Sequence, residues 1–460
     1  MPSRVASRLE LRVEHDQLTI VEVYRRGMFR RNKARGILLV ITVMLAMFLI
    51  AGCSGGSQND KAVNAADNVE TTEPTEHSDA SPANEALEEE AAAAEEDEEE
   101  EEAEEPVEPS VEQDIPSLKD VYEPYFPIGA AIEPHQTTGL VSELLKKHVN
   151  MIVAENAMKP SSLQPSEGNF RWENADRIVQ FAKENGMELR FHTLVWHNQV
   201  PDWFFLDENG KPMIDETDPD KREANKRLLL QRLETHVRTV VERYKDDIKY
   251  WDVVNEVVEP NDPDGMRNSP WYQITGTDYI ETAFRAAREA GGPDIKLYIN
   301  DYGTDDVRKR DRIYELVKEM LDRGVPIDGV GHQTHISIHW PPVDSIIESM
   351  QKFAELGLDN IVTELDMSLY AWNDRSDFGD QIPDHILAKQ AERYGELFKA
   401  FRENSDILSE VTFWGIADNH TWLSSFPVDS RTEAPLLFDK NYHAKPAFWS
   451  VIEAAQEDET

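Results

Sequence analysis

The chain has 460 residues, 40% of them apolar, enough for one large domain or two to three small ones. Its net charge of -42 sets 89 acidic residues against 47 basic ones, which argues against nucleic acid as a partner because phosphate binding needs a basic face. The single cysteine, Cys53, rules out a disulfide within the chain.

In chain order, residues 1–27 fit no part of an export signal and read as an extension from a start assigned too far upstream. Met28 opens "MFRRNKARG", and an apolar run from Ile37 to Ile50 follows, closing in "LIAGC" at Leu49 to Cys53. A basic head, a short apolar stretch and small residues before a cleavage point make residues 28–52 a signal peptide, since a spanning helix would need roughly 20 apolar residues. "LIAGC" resembles the bacterial lipobox, which implies lipid attachment at Cys53 and a membrane anchor on the outer face of a bacterial cell. Residues 53–114 read as a disordered acidic linker, because Glu88 to Glu105 alone holds 13 acidic residues and too little apolar surface to offset ordering entropy. From Val111 to Thr460, 64 acidic residues against 37 basic ones still give -27. That charge fits either salty or alkaline surroundings or plain solubility.

From residue 115 to 460 the texture alternates. Strand-like runs appear at "FPIGAAI" (Phe126), "MIVAEN" (Met151), "LRFHTLVWH" (Leu189), "YWDVVNE" (Tyr250), "KLYINDY" (Lys296), "GVGHQTHI" (Gly329), "NIVTELD" (Asn360) and "VTFWGIAD" (Val411). Between them, apolar residues recur at helical spacing, as at Ile280, Ala283, Phe284 and Ala287, or Leu229, Leu233, Val237, Val240 and Tyr244. Eight such repeats predict an α/β fold, a closed (β/α)8 TIM barrel forming one catalytic domain over 115–460. A doubly wound open sheet is the alternative, although no G-x-G-x-x-G follows the first strand.

A barrel of this kind places its site at the C-terminal strand ends. Polar residues gather there: Glu155 and Asn156, His197, Asn255 and Glu256, Asn300 and Asp301, His335, Glu364 and Asp366, Asp418. Glu256 and Glu364 end strands four and seven, three apart in a ring of eight, so they can face each other across the mouth. Paired carboxylates across a cleft suit glycosidic cleavage, one as proton donor and the other as attacking or stabilising group. Metal binding is the competing use, but no H-E-x-x-H or clustered His/Asp spacing accompanies them. Trp196, Trp203, Trp414 and Trp422 fall at or just beyond strand ends, and Trp414 and Trp422 suit stacking on sugar rings.

Six motifs, "AENAMK" at 154, "HTLVWH" at 192, "WDVVNE" at 251, "GHQTHI" at 331, "IVTELD" at 361 and "FWGIADNHTW" at 413, resemble in order the strand ends of glycoside hydrolase family 10, the endo-1,4-β-xylanases. The likeness runs from about Ile115 to Ala455. It implies Glu256 as acid/base and Glu364 as nucleophile of a retaining double displacement on internal xylosidic bonds. It further implies Asn255 on the sugar 2-hydroxyl, His335 on the nucleophile with Gln333 beside it, and Glu155, Asn156 and Lys159 in the donor-side subsite. His192, Trp196, Trp414 and Trp422 would wall the innermost subsites, and Tyr302 would border the leaving-group side. The implied partners are xylan and xylo-oligosaccharides, with no cofactor, no metal and a monomeric chain.

Chemistry then sets expectations. Glu256 should have its pKa raised by an apolar setting and by the charge on Glu364, while hydrogen bonds from neighbours such as His335 should keep Glu364 ionised. The carboxyls should stand about 5 to 5.5 Å apart if the enzyme retains configuration. Asp252 and Asp366 should orient the glutamates; His332, His339 and His420 are read equally as loop or core histidines or as substrate contacts; "DENGK" at 207 is a turn. Phe191, where the family suggests Gly, could narrow the barrel interior. A β-glucan-cleaving relative and a non-hydrolytic sugar-binding lipoprotein are the rival readings.

Overall fold

The structure, a computed structural model, describes residues 108–379 and 381–456. The extension at 1–27, the signal segment, Cys53 and nearly all of the acidic linker lie outside the described residues.

Eight parallel strands close on themselves. β1 (Ile128–Ile132), β2 (Met151–Ala154), β3 (Glu188–Val195), β4 (Tyr250–Asn255), β5 (Lys296–Asp301) and β6 (Gly329–His332) follow one another round the ring. β7 (His335–Ser337) resumes after Gln333 and Thr334, so β6 and β7 are halves of one sixth strand, and β8 (Asp359–Ser368) pairs with both. β9 (Leu408–Phe413) pairs with β8 and returns to β1 through Ile128↔Val411, Gly129↔Thr412 and Ala130↔Phe413. That last ladder closes the barrel and eliminates the open sheet. It is the (β/α)8 arrangement that the eight repeats predict.

Strands covered on both faces must be apolar along their length. β1 and β2 are buried throughout, and β4 is buried from Trp251 onward. The helices bury one stripe each: Asp278–Gly291 turns Tyr279, Ile280, Ala283, Phe284, Ala286, Ala287 and Ala290 inward. Each return to the cleft face starts a helix, and two of these starts are capped by aspartate. Asp218 accepts from the amides of Asp220 and Lys221, and Asp306 from those of Arg308 and Lys309. The second cap sets Lys309 in a first helical turn, where its ammonium meets Asp301 of β5 at 2.7 Å.

Two features depart from the sequence reading. The fold starts earlier than residue 115: Val111 is buried, the Ser110 amide donates to the Asn441 carbonyl at 3.1 Å, and Glu112 accepts from the Ala444 amide at 2.6 Å. One apolar anchor in a Glu-rich setting leaves no compositional trace. Phe191 does not narrow the barrel interior; it is fully buried on the outside, stacked 4.7 Å from Trp251 and 6.4 Å from Tyr244 of the helix Pro219–Tyr244. Strand alternation sends Arg190 and His192 inward and Phe191 outward.

Candidate active site

Glu256 follows the last residue of β4 in a left-handed conformation, φ 56°, with its amide donating to the Asn300 carbonyl at 2.9 Å. Thr334, at the break in the sixth strand, has φ 58°. Non-glycine residues held there store backbone strain, which persists where surroundings over-determine them. Here the strained backbone turns the Glu256 carboxylate over the mouth, and the break in the sixth strand sends Gln333 to Glu256 and His335 to Glu364.

The two glutamates are bridged by amides. Gln333 Nε2 donates to Glu256 Oε1 at 3.2 Å and to Asn255 Oδ1 at 3.1 Å. Asn300 Nδ2 donates to the same Asn255 oxygen at 2.9 Å and to Glu364 Oε1 at 2.8 Å. Thr363 fixes the Asn300 amide by donating to its oxygen at 2.7 Å, and this in turn sets which way Asn255 points. The second Glu364 oxygen lies 3.1 Å from His335 Nε2. His335 Nδ1 stands 2.9 Å from Asp366 Oδ1 as an ion-pair contact, and Trp422 Nε1 donates to Asp366 Oδ2 at 2.7 Å.

These neighbours divide the two carboxyls electrostatically. Burial would raise Glu364, but His192, the His335 hydrogen bond and charge, and Lys159 outweigh it and hold the carboxyl down at about 2. Burial likewise opposes charge on His335, yet Asp366 and Glu364 push the imidazole up to about 10. Glu256 departs from expectation. Burial pushes it up, but His197, Arg267, the Trp196 hydrogen bond and Lys309 together hold it below the usual carboxylate range. His197 is itself driven down to about 3, first by burial and then by Arg267, so it is uncharged near neutrality and its pull on Glu256 vanishes there. The cations that remain, Arg267 from the loop after β4 and Lys309 from the helix after β5, lie outside every motif, and they are why the expected rise is missing.

The sugar-binding set predicted from sequence converges on this centre. Lys159 Nζ reaches Asn156 Oδ1 at 3.2 Å and sits 4.8 Å from the Trp196 ring and 5.8 Å from the Trp414 ring. His335 packs edge-on against Trp422 at 5.0 Å, and His192 against Trp414 at 5.3 Å. Opposite them, Tyr302 OH accepts from Arg267 at 2.9 Å, and Arg267 Nε donates to the Glu256 carbonyl at 2.6 Å. One flank is thus lined by Lys159, Trp414 and Trp422, the other by Tyr302 and Arg267. The family model for glycosyl hydrolase family 10 matches residues 117–454.

The chain belongs to glycosyl hydrolase family 10.

Among its relatives is the thermostable celloxylanase of Thermoclostridium stercorarium, 72% identical over 344 residues, 75% of this chain and 89% of that protein. The endo-1,4-beta-xylanase A of Halalkalibacterium halodurans is 57% identical over 345 residues, 74% of this chain and 87% of its own. The solved xylanase B from Clostridium stercorarium F9 superposes with a TM-score of 0.73 at 73% identity, covering 74% of this chain and 100% of that one.

The family 10 site also holds residues that sequence reasoning left open or passed over. His420 Nε2 lies 2.7 Å from Glu155 Oε2, so it belongs to the cleft. Glu133, after β1, accepts from Asn156 Nδ2 at 2.6 Å, and Gln199 Nε2 donates to Asn156 Oδ1 at 3.0 Å. Asn300, noted only as a strand-end residue, is the hub of the amide bridge. Of the other strand-end groups, Asp418 turns away to Lys445 at 2.8 Å, and His332 is a core histidine between Thr304 and Asn360. His339 sits on an exposed loop against Lys389, and Asp207 closes the turn at 207–211 through the Asn209 and Lys211 amides. Among the described residues, no three His, Cys, Asp or Glu side chains converge as metal ligands would.

Proposed function

We propose that this family 10 enzyme is a retaining endo-1,4-β-xylanase, hydrolysing internal bonds of xylan and xylo-oligosaccharides. The observation that carries the reading is the unequal pair: Glu364 clamped as an anion by His335 and His192, and Glu256 facing it across the amide bridge. In the first step a Glu364 oxygen bonds to the anomeric carbon as the glycosidic C–O bond breaks, and the Glu256 proton passes to the departing oxygen. In the second, water attacks the same carbon, Glu256 takes its proton, and the ester to Glu364 breaks. Sugar in the cleft completes the desolvation of Glu256 and favours its protonated form, while esterification of Glu364 removes a neighbouring anion and favours release of that proton. Trp414 and Trp422 offer apolar faces to the pyranose rings. The names of the relatives at 72% and 57% identity support xylan as substrate, and the first also brings cello-oligosaccharides into the test.

Three measurements test this. Purified enzyme should release reducing sugar faster from xylan than from carboxymethylcellulose; the reverse order would make it a β-glucanase. Proton NMR during hydrolysis should show the β-anomer first, and α first would mean inversion and refute the double displacement. Glu364→Ala should lose turnover by at least about 10⁴-fold while still binding xylo-oligosaccharides; full hydrolysis by that variant removes the nucleophile assignment.

The same reading puts the enzyme outside the cell, held to the membrane by a lipid on Cys53 and acting as a monomer, supported by the signal-like segment and the "LIAGC" sequence. Cys53→Ser should move activity from the membrane fraction to the medium, and a native enzyme already free in the medium would contradict it.

A further inference from the structure

Among the buried charges that catalysis as described leaves unused, Glu410 is one tied to the site. Glu410 lies in β9 among Leu408, Val411 and Phe413, with its side chain 1% exposed. A carboxylate sealed in a barrel core is costly unless it is paired. Its partner is Arg190 of β3, fully buried, whose Nε stands 3.0 Å from Glu410 Oε1; the Thr412 hydroxyl donates to the same oxygen at 2.6 Å.

The guanidinium reaches on toward the site by two routes. Nη2 donates to the Thr363 carbonyl at 2.7 Å, the residue before Glu364. Nη1 bonds Asp252 Oδ2 of β4, and that same oxygen lies 2.9 Å from His192 Nδ1. His192 Nδ1 is 3.9 Å from Glu364 Oε1. A continuous line of side chains therefore joins Glu410, beneath the cleft, to the nucleophile within it.

Arginine binds carboxylates best through two parallel N–H donors. Glu410 occupies the Nε donor, so Arg190 takes Asp252 through Nη1 alone and leaves Asp252 Oδ2 shared with His192. We infer that Glu410 is a positioning residue for the nucleophile: by holding one edge of Arg190 it keeps Asp252 on His192, and so keeps the His192 ring in place beside Glu364.

Two carboxylates share this one guanidinium, and Glu410 Oε2 and Asp252 Oδ1 are buried without hydrogen-bond partners. The groups facing Glu410 are Arg190, Asp252 and Thr412, with the phenols of Tyr250 and Tyr298 and the Asp359 carboxylate bonded to Tyr298. Burial pushes Glu410 up against the pull of Arg190 and Thr412, while His192 is foremost among the groups that oppose burial at Glu364. Glu410 also repels Glu364 directly. Coulomb energy falls with separation, so His192, adjacent to Glu364, outweighs Glu410, which reaches it only through intermediaries.

The inference rests on Glu364 as nucleophile. The test is Glu410→Gln, which keeps shape and an acceptor but removes the charge, read as kcat/KM on xylotriose against pH. The acid limb is expected to move up by about one pH unit, with KM within about twofold of the parent. An acid limb unchanged from the parent overturns the inference, whatever happens to the melting temperature. Should that variant fail to fold, Thr412→Val reports instead: loss of the hydroxyl donor favours neutral Glu410 and should shift the limb the same way by less, and an unmoved limb again overturns it. Either failure leaves the Glu364→Ala result intact, whereas hydrolysis by Glu364→Ala would sink the underlying assignment.

Discussion

At the scale of single residues, the site works by giving two like side chains unlike neighbours. Glu364 carries a cation on one oxygen and an amide on the other, whereas Glu256 has an amide, an indole and two more distant cations. His335 is the group whose loss should show this most directly. With His335→Ala, Glu364 loses the hydrogen bond and charge that help hold it at about 2, so it takes up a proton at higher pH. In the proposed double displacement Glu364 attacks as an anion, so the acid limb of kcat/KM should rise toward the ordinary carboxylate value, and kcat should fall by about 100-fold, as when one stabilising donor is removed. A pH–rate profile of that variant superimposing on the parent would contradict the clamp. Strand-end position was enough to read Glu256, Glu364, Asn255 and His335 from the sequence, because the end of an apolar run locates them, whereas Gln333 came only from the family resemblance. His420 and Glu133 were not readable that way. Each meets its partner, Glu155 and Asn156 respectively, only in the folded sheet: His420 through the β9–β1 ladder that closes the barrel, Glu133 through the pairing of β1 with β2. The lowered Glu256 was hidden for a similar reason, since Arg267 of the loop after β4 and Lys309 of the helix after β5 meet it only in the folded barrel.

At the scale of elements, the sixth strand carries the most constraint. It is cut in two at Gln333 and Thr334, and its first half is built to let neighbours come close. A Cβ on Gly331 would fall 2.5 Å from Asn300 Oδ1 and 2.9 Å from Thr363 Cγ2. Gly331→Ala must therefore displace the amide that bonds both Asn255 and Glu364. The expected cost is about 1–3 kcal/mol of stability, as for overpacking elsewhere, with a larger proportional fall in kcat than in KM. Denaturant melts and steady-state kinetics on one preparation separate the two effects; a stable variant with full turnover would show that Asn300 has room to move. The apolar runs located all eight barrel strands, but not the interruption of the sixth. "GVGHQTHI" reads as one continuous run, and only the backbone at Thr334, set by its tertiary surroundings, divides it. Phe191 shows the opposite case: its outward direction was already implied by His192 pointing inward.

At the scale of the whole molecule, charge and buried histidines set the conditions for stability. The excess of -27 over residues 111–460 repels itself, so added salt should raise the melting temperature, by roughly 2 °C for each kcal/mol of repulsion screened. A melting temperature that falls steadily with sodium chloride would contradict this. His148, His197, His236 and His332 are pushed down to about 3 or 4, burial being the largest cause in each, so the unfolded chain binds more protons there. Stability is lost as pH falls from about 6.5 through those values, and Glu364 adds to the loss below 4.5. His335, raised to about 10, acts the other way: its contribution is full below 6.5 and disappears as pH climbs to about 10. Thermal melts across pH should peak near 6.5, and a peak above 9 or below 5 would break the linkage. Through all of this proton traffic one part stays constant. Asn255, Asn300 and Gln333 have no acid or base form in that range, so the span between the paired glutamates is set by a neutral brace. The enzyme can change the ionisation of either carboxyl during a turnover without loosening the frame that spaces them.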